Sequence, residues 1–262
     1  MSDDAPTRDH DATQRFLDSL PELAPDQEFR FACHPQVPCF NACCGDLNLM
    51  LTPFDVLRLR QALGESSAEF IRTRAHVALA PDTGLPLMRL RMRDDKRRSC
   101  PFVSPQGCTV YPHRPSACRT YPLGRATRPG EDGTVRERFF LVREGHCKGF
   151  GQDSTFTPAT WLADQELAVY NASNDRTMRL MARIKDTGRP IDPRRANMAA
   201  LALYQLDSFA DFIRDTGLLE RLDMAPGRAE AVLADEAARL EFAQDWLTLV
   251  LFGACPGLEV RR

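Results

Sequence analysis

Apolar and polar residues fall into short, differently phased runs along the chain. LNLMLT at 47–52 reads as a brief strand, and GLPLMRLRMR sets Met88, Leu90 and Met92 against Arg89, Arg91 and Arg93 with the two-residue period of a half-buried strand. Thr52, Pro53 and Asp55 form the start signal of a helix that Gly64 ends, and Ser66 with Glu69 repeats the capping pattern before AEFIRTRAHV. PFVSPQG, between Cys100 and Cys108, predicts a tight reversal. Thr157 and Pro158 predict a long helix through TWLADQELAVYNASNDRTMRLMARI, which KDTGRPIDP interrupts near residue 187. Leu206, Phe209 and Ile213 stand at helical spacing before Gly217, and Val232 to Phe252 closes in WLTLVLFG, apolar on nearly every side and expected to be buried.

Cysteine placement changes the picture. Of nine cysteines, eight precede residue 150 (Cys33, Cys39, Cys43, Cys44, Cys100, Cys108, Cys118, Cys147) and Cys255 stands alone in FGACPG. The expected organisation is a polar lead over 1–28 with a short helix around Phe16–Leu20, a cysteine-rich domain over 29–151, and a helical region over 152–262. The fold class that follows is α+β: a loop-rich cysteine domain with short strands, packed against an α-helical C-terminal region.

Global charge excludes little, since a net charge of -2 gives no pull toward nucleic acid or anionic membrane. The N-terminus lacks the basic start and apolar run of a secretory signal, and no apolar stretch of about 18 residues follows, so the expected location is the cytoplasm with no membrane partner. Thiols stay reduced there, and crowded cysteines point to metal or redox chemistry rather than disulfides.

A helical turn over Cys39–Cys44 would set Cys39 and Cys43 on one face and turn Cys44 away by roughly 100°. The adjacent pair is then expected to serve two metal atoms, in separate sites or within one polynuclear cluster, with Gly45 easing a sharp turn beside them. Four plus four thiols match two tetrathiolate sites, and zinc and iron–sulfur clusters both accept that ligand set. Such sites are anionic, which makes Arg114 and Arg119, flanking Cys118, candidates to contact the cofactor, with Lys148 after Cys147 in the same role. His34, His113 and His146 are reserve ligands. Tyr111 and Tyr121 read as core, Cys255 as a buried structural thiol, and the six basic residues from Arg89 to Arg98 as a solvated face, so nucleic acid is disfavoured as a partner. A protein partner could meet the helical region. Nucleotide-binding glycine loops, HExxH and GxSxG are absent from the sequence.

CFNACCGDLNLMLTPFDVLRLRQAL followed by CPFVSPQGCTVYPHRPSACRTYP resembles the YkgJ-type cysteine-cluster family (CxxCxxCC), described as a zinc- or iron-chelating domain. Cys100, Phe102, Gly107, Cys108, Val110, Tyr111, Arg114, Pro115, Cys118, Arg119, Tyr121 and Pro122 all fit the family's pattern. Upstream the spacing is expanded, with five residues between Cys33 and Cys39 and three between Cys39 and Cys43. The resemblance implies metal chelation through the eight cysteines, with no settled reaction. Flagellin lysine methylases carry a similar cluster, which implies that an iron–sulfur centre and an enzymatic use, in protein methylation, other group transfer or electron transfer, are open alternatives to a pure metal-binding role. The Cys-x3-Cys-x2-Cys order of a radical-type cluster is absent, because Asp46 holds its third position.

Overall fold

The computed structural model describes residues 19–129 and 135–261. In chain order its strands are β1 (Glu22–Leu23), β2 (Phe29–Arg30), β3 (Met50–Leu51), β4 (Ala75–Leu79), β5 (Pro86–Leu90), β6 (Val103–Ser104), β7 (Gly107–Cys108), β8 (Leu123–Pro129), β9 (Val135–Leu141), β10 (Thr155–Phe156), β11 (Leu222–Met224) and β12 (Leu258–Val260). Its helices among these residues are α1 (Pro53–Leu63), α2 (Ser67–Arg74), α3 (Ser116–Thr120), α4 (Pro158–Asp164), α5 (Ala168–Asp186), α6 (Pro193–Tyr204), α7 (Leu206–Thr216), α8 (Arg228–Ala234) and α9 (Glu236–Phe252). The class is α+β, with small antiparallel sheets and most of the helices in the C-terminal half. The short helix expected over Phe16–Leu20 falls almost wholly outside the described residues.

The chain divides into two compact units that interleave in sequence. One comprises Met1–Leu47, Asp94–Thr109 and Ala117–Val169; the other comprises Asn48–Arg93, Val110–Ser116 and Tyr170–Arg262. All eight clustered cysteines belong to the first unit, and Cys255 to the second.

The first unit is built on the antiparallel order β1-β9-β8, in which Leu123 pairs with Leu141 and Leu23 with Phe139, and on the small pairs β10-β2 and β6-β7. These registers bring Leu23, Phe29, Phe31, Leu123, Phe139 and Trp161 into one buried cluster. Its aromatics meet edge to face, Trp161 lying 5.6 Å from Phe31 at 89° and 4.9 Å from Phe156 at 75°, the arrangement that the ring quadrupole favours. The Trp161 indole N–H, which needs a partner once buried, donates to the Thr120 carbonyl at 3.0 Å. Tyr121, Cys147 and Phe150 pack at the margin of this core.

The second unit holds the sheet β3-β5-β4 and the helices α1, α2 and α5–α9, around Leu57, Leu59, Phe70, Met88, Phe209 and Phe242. The start of α1 follows the sequence closely: Thr52 accepts from the Asp55 N–H while Asp55 accepts from the Thr52 N–H, Pro53 fills the first turn, and Gly64 closes the helix in the left-handed conformation. Asp55 is wholly buried and also accepts from the Ser116 N–H at 2.7 Å and its hydroxyl at 3.0 Å, at the first residue of α3.

Two helical expectations need correction. The long helix after Thr157 is two helices, broken at Gln165–Leu167 with Glu166 at φ 53°. The last run divides at Asp235, whose side chain accepts the Ala238 N–H as the cap of α9. Within α9, Trp246 and Leu247 are buried as expected, but Val250 is 37% exposed, so the final turn emerges from the core.

Candidate metal centre

Residues 33–46 form a chain of tight turns rather than a helical turn. Three-residue hydrogen bonds follow one another, from Phe40 to Val37 (2.8 Å), Ala42 to Cys39 (2.8 Å) and Cys44 to Asn41 (3.1 Å), and Asn41 sits at φ 65°. Helical phasing therefore does not decide which way the thiols face. Long-range bonds do: the Asn41 amide donates to the Ser104 carbonyl at 2.9 Å, and the Cys100 N–H donates to the Cys44 carbonyl at 2.9 Å. The Arg97 guanidinium donates to the carbonyls of Asn41 and Ala42, the latter at 3.1 Å. Asp95 in turn accepts the N–H groups of Arg97 and Ser99 at 3.1 and 2.9 Å.

Gly45 is required by this clamp. A side chain there would place its first carbon 2.9 Å from the Arg97 carbonyl oxygen and 3.1 Å from Arg97 Cγ. The crowding expected beside a metal is thus crowding against the Arg97 segment.

The remaining cysteines come from neighbouring elements. Cys108 stands on β7 opposite Val103, whose N–H donates to the Cys100 carbonyl at 3.2 Å, so the β6-β7 hairpin carries Cys108 and the turn that leads into it carries Cys100. Cys118 lies on α3. Cys147 follows β9 in a turn closed by its own N–H on the Glu144 carbonyl at 2.9 Å. The next residue, Lys148, donates its backbone N–H to Cys39 Sγ at 3.1 Å. Gly149 accepts from the Ala32 N–H at 3.1 Å and lies so near Phe31 that an added side-chain carbon would stand 2.5 Å from its ring, which brings Cys33 beside the Cys147 turn.

These contacts group the thiols. The side chains of Cys43 and Cys44 hydrogen-bond to each other, and that bond, more than any other influence, lowers the Cys43 thiol to about 6. Cys44 is raised, first by the same bond, then by burial and by the charges of Cys43, Cys100 and Cys118. Glu144 and His146 act on Cys43 with opposite signs. Cys43, Cys44, Cys100 and Cys118 are linked in this way, and the Lys148 N–H ties Cys39 to the Cys147 turn. Among the described residues no three His, Cys, Asp or Glu side chains already stand at metal-ligand spacing.

Burial separates the eight from ordinary core cysteines. All nine are free thiols, yet only Cys255 is buried; Cys33, Cys43 and Cys118 are exposed and the other five half-buried. The two candidate arginines have other bonds: Arg119, 4% exposed, donates to the Gln165 carbonyl at 2.7 Å and pairs with Glu166 at 3.7 Å. Arg114 belongs to the second unit, where it donates to the Tyr111 carbonyl at 2.8 Å and stacks 3.8 Å over that ring. Arg97, the cation at the Cys43–Cys44 turn, was read from the sequence only as part of a solvated stripe. Its signal was its place two residues before Ser99 and three before Cys100, which carried no weight without the fold.

Soft, deprotonatable donors at half-exposed positions, with a backbone N–H already directed at one sulfur, suit a metal centre. Residues 32–148 match the model of the CxxCxxCC family, described as a "putative zinc- or iron-chelating domain". The match takes in all eight clustered cysteines and just under half of the chain. No curated protein and no solved structure matches the chain.

Proposed function

We propose that this protein binds metal through the thiolates of Cys33, Cys39, Cys43, Cys44, Cys100, Cys108, Cys118 and Cys147, as an iron–sulfur cluster in preference to zinc. The observation that carries the reading is that eight free thiols of one compact unit stand outside its core, although cysteine is commonly interior. The preference for a cluster rests on the Cys43–Cys44 pair: two adjacent sulfurs in contact suit neighbouring irons of one polynuclear centre, each taking one thiolate. Bound there, a cluster supplies electron transfer, and zinc a structural cross-link. The chain's own contribution is to preset the donors. Arg97 and Asn41 hold the Cys39–Cys44 turns, Lys148 directs its N–H at Cys39, and Arg119 places a cation on the Cys118 helix. A reducing cytoplasm is the compartment in which eight such thiols stay available.

Anaerobic purification followed by elemental analysis, acid-labile sulfide determination and a visible spectrum tests the proposal. A brown protein with iron and sulfide in equal amounts is the expected result. Colourless protein with bound zinc would move the assignment to a zinc site, and protein that takes up neither metal on reconstitution would end it. Replacing Cys43 and Cys44 together with serine should abolish uptake, because the pair contributes two of the donors.

A further inference from the structure

Tyr121 was expected to do no more than fill core. Its ring does so, packing edge-on against Phe31 at 5.7 Å and 74°, which fixes where the phenol points. The hydroxyl at its end is shut off from solvent and forms no well-aligned hydrogen bond, the Cys147 thiol being the one partner near enough to engage it. A buried polar group left without a bond is costly, and native structures rarely keep one without a use. Cys147 packs at the margin of the same aromatic core and is the side chain that acts on this hydroxyl most directly, with Glu144 and Cys43 beyond it.

A neutral thiol is a weak acceptor, and a thiolate is a strong one. We infer that the Tyr121 hydroxyl is a positioning donor for the Cys147 sulfur, a contact that is weak to a neutral thiol and strong once that sulfur is a metal-bound thiolate. The inference rests on the proposal that Cys147 is a ligand. It explains why a tyrosine rather than a phenylalanine stands in an aromatic cluster: the ring packs in either case, but only tyrosine answers the charge that appears on metal binding. The Lys148 N–H on Cys39 serves the sulfur of a neighbouring turn in the same way.

Tyr121→Phe keeps the ring and removes the donor, so it isolates the bond. Metal-free wild type and variant are titrated anaerobically with Co2+, followed by absorption and by competition with Zn2+, and each is also reconstituted with ferrous iron and sulfide. Loss of an outer donor to a ligand is expected to weaken metal affinity about 10-fold. The sulfur-to-cobalt band should move to lower energy, because the thiolate becomes richer in electrons, and a reconstituted cluster should show a more negative potential. The metal-free variant should unfold at nearly the same temperature as wild type, since only a weak contact to a neutral thiol is lost. In a Cys147→Ala background the Tyr121→Phe change should cost nothing further.

A variant with unaltered affinity and spectrum, beside a wild type that loads, overturns the inference and leaves the proposed function standing. So does a metal-free variant that is itself destabilised, which would make the hydroxyl structural, or an undiminished effect in the Cys147→Ala background. A wild type that takes up neither metal overturns the proposed function and this inference with it.

Discussion

Asp207 accepts the N–H of the buried Ser67 at 2.8 Å, in the first turn of α2, and the N–H of its neighbour Ser208 at 2.9 Å. Burial works against its charge, but the Ser67 and Ser208 hydrogen bonds, with Arg60 behind them, hold its carboxyl below the usual range. A carboxylate depressed in the folded state contributes stability that is complete above its unfolded value and is lost as pH falls through the folded one. Asp207→Asn should therefore cost about 1 kcal/mol at neutral pH, a charge-assisted bond becoming an ordinary one. That deficit should hold down to about pH 4 and shrink only as pH falls further, through the depressed folded value, in urea unfolding series; a constant deficit would mean the loss is steric. The thiols give a second residue-scale expectation. In metal-free protein an alkylating reagent should label Cys33, Cys43 and Cys118 first and Cys255 only on unfolding, as mass spectrometry would show, because the first three are exposed and the last is buried. Added metal should protect those three while leaving Cys255 unchanged.

Elements differ in how local their causes are. The cap of α1 was legible because Thr52, Pro53, Asp55 and Gly64 satisfy one another within a dozen residues. The β6-β7 hairpin was legible for the same reason, with the Ser104 hydroxyl donating across its turn to the Gly107 carbonyl at 2.9 Å. The Cys39–Cys44 turns were not, since their shape is imposed by Arg97 and Ser104, more than fifty residues away in sequence. The break between α4 and α5 was missed because Gln165, Glu166 and Leu167 include neither glycine nor proline, and what stabilises it is the buried Arg119 on the Gln165 carbonyl. Gly45 separates the two kinds of cause experimentally. Gly45→Ala drives a carbon against the Arg97 backbone and should cost about 1–3 kcal/mol as overpacking, together with a loss of metal affinity as the turn opens. Gly64→Ala meets no atom within 4 Å and costs only the left-handed backbone penalty of about 1 kcal/mol, with metal uptake unchanged. Equal effects of the two on metal affinity would show that the Arg97 clamp does not shape the site.

Across the whole chain, the eight proposed cysteine ligands are spread over three separate stretches of one unit, Met1–Leu47, Asp94–Thr109 and Ala117–Val169. A ligand that binds only the folded arrangement stabilises it by an amount set by its concentration, about 2.7 kcal/mol at 100 times its dissociation constant. A centre tied to all three stretches closes long loops at once, so its stabilisation should appear wherever those stretches run and not as a general tightening. Hydrogen exchange followed by mass spectrometry, on the full chain with and without metal, reads this directly. Slowed exchange is expected at the amides of Cys44, Cys100 and Lys148, whose bonds fix the Cys44 turn, join it to the Cys100 segment and meet Cys39. The helices α6, α7 and α9 carry none of the eight thiols and should exchange at unchanged rates. The cap at Ser67 and Asp207 is an internal reference, since its bond does not involve the thiols. Protection confined to residues 33–46 would reduce the centre to a single local site built from the first four cysteines, and protection centred on the helices would place the metal somewhere other than on these sulfurs.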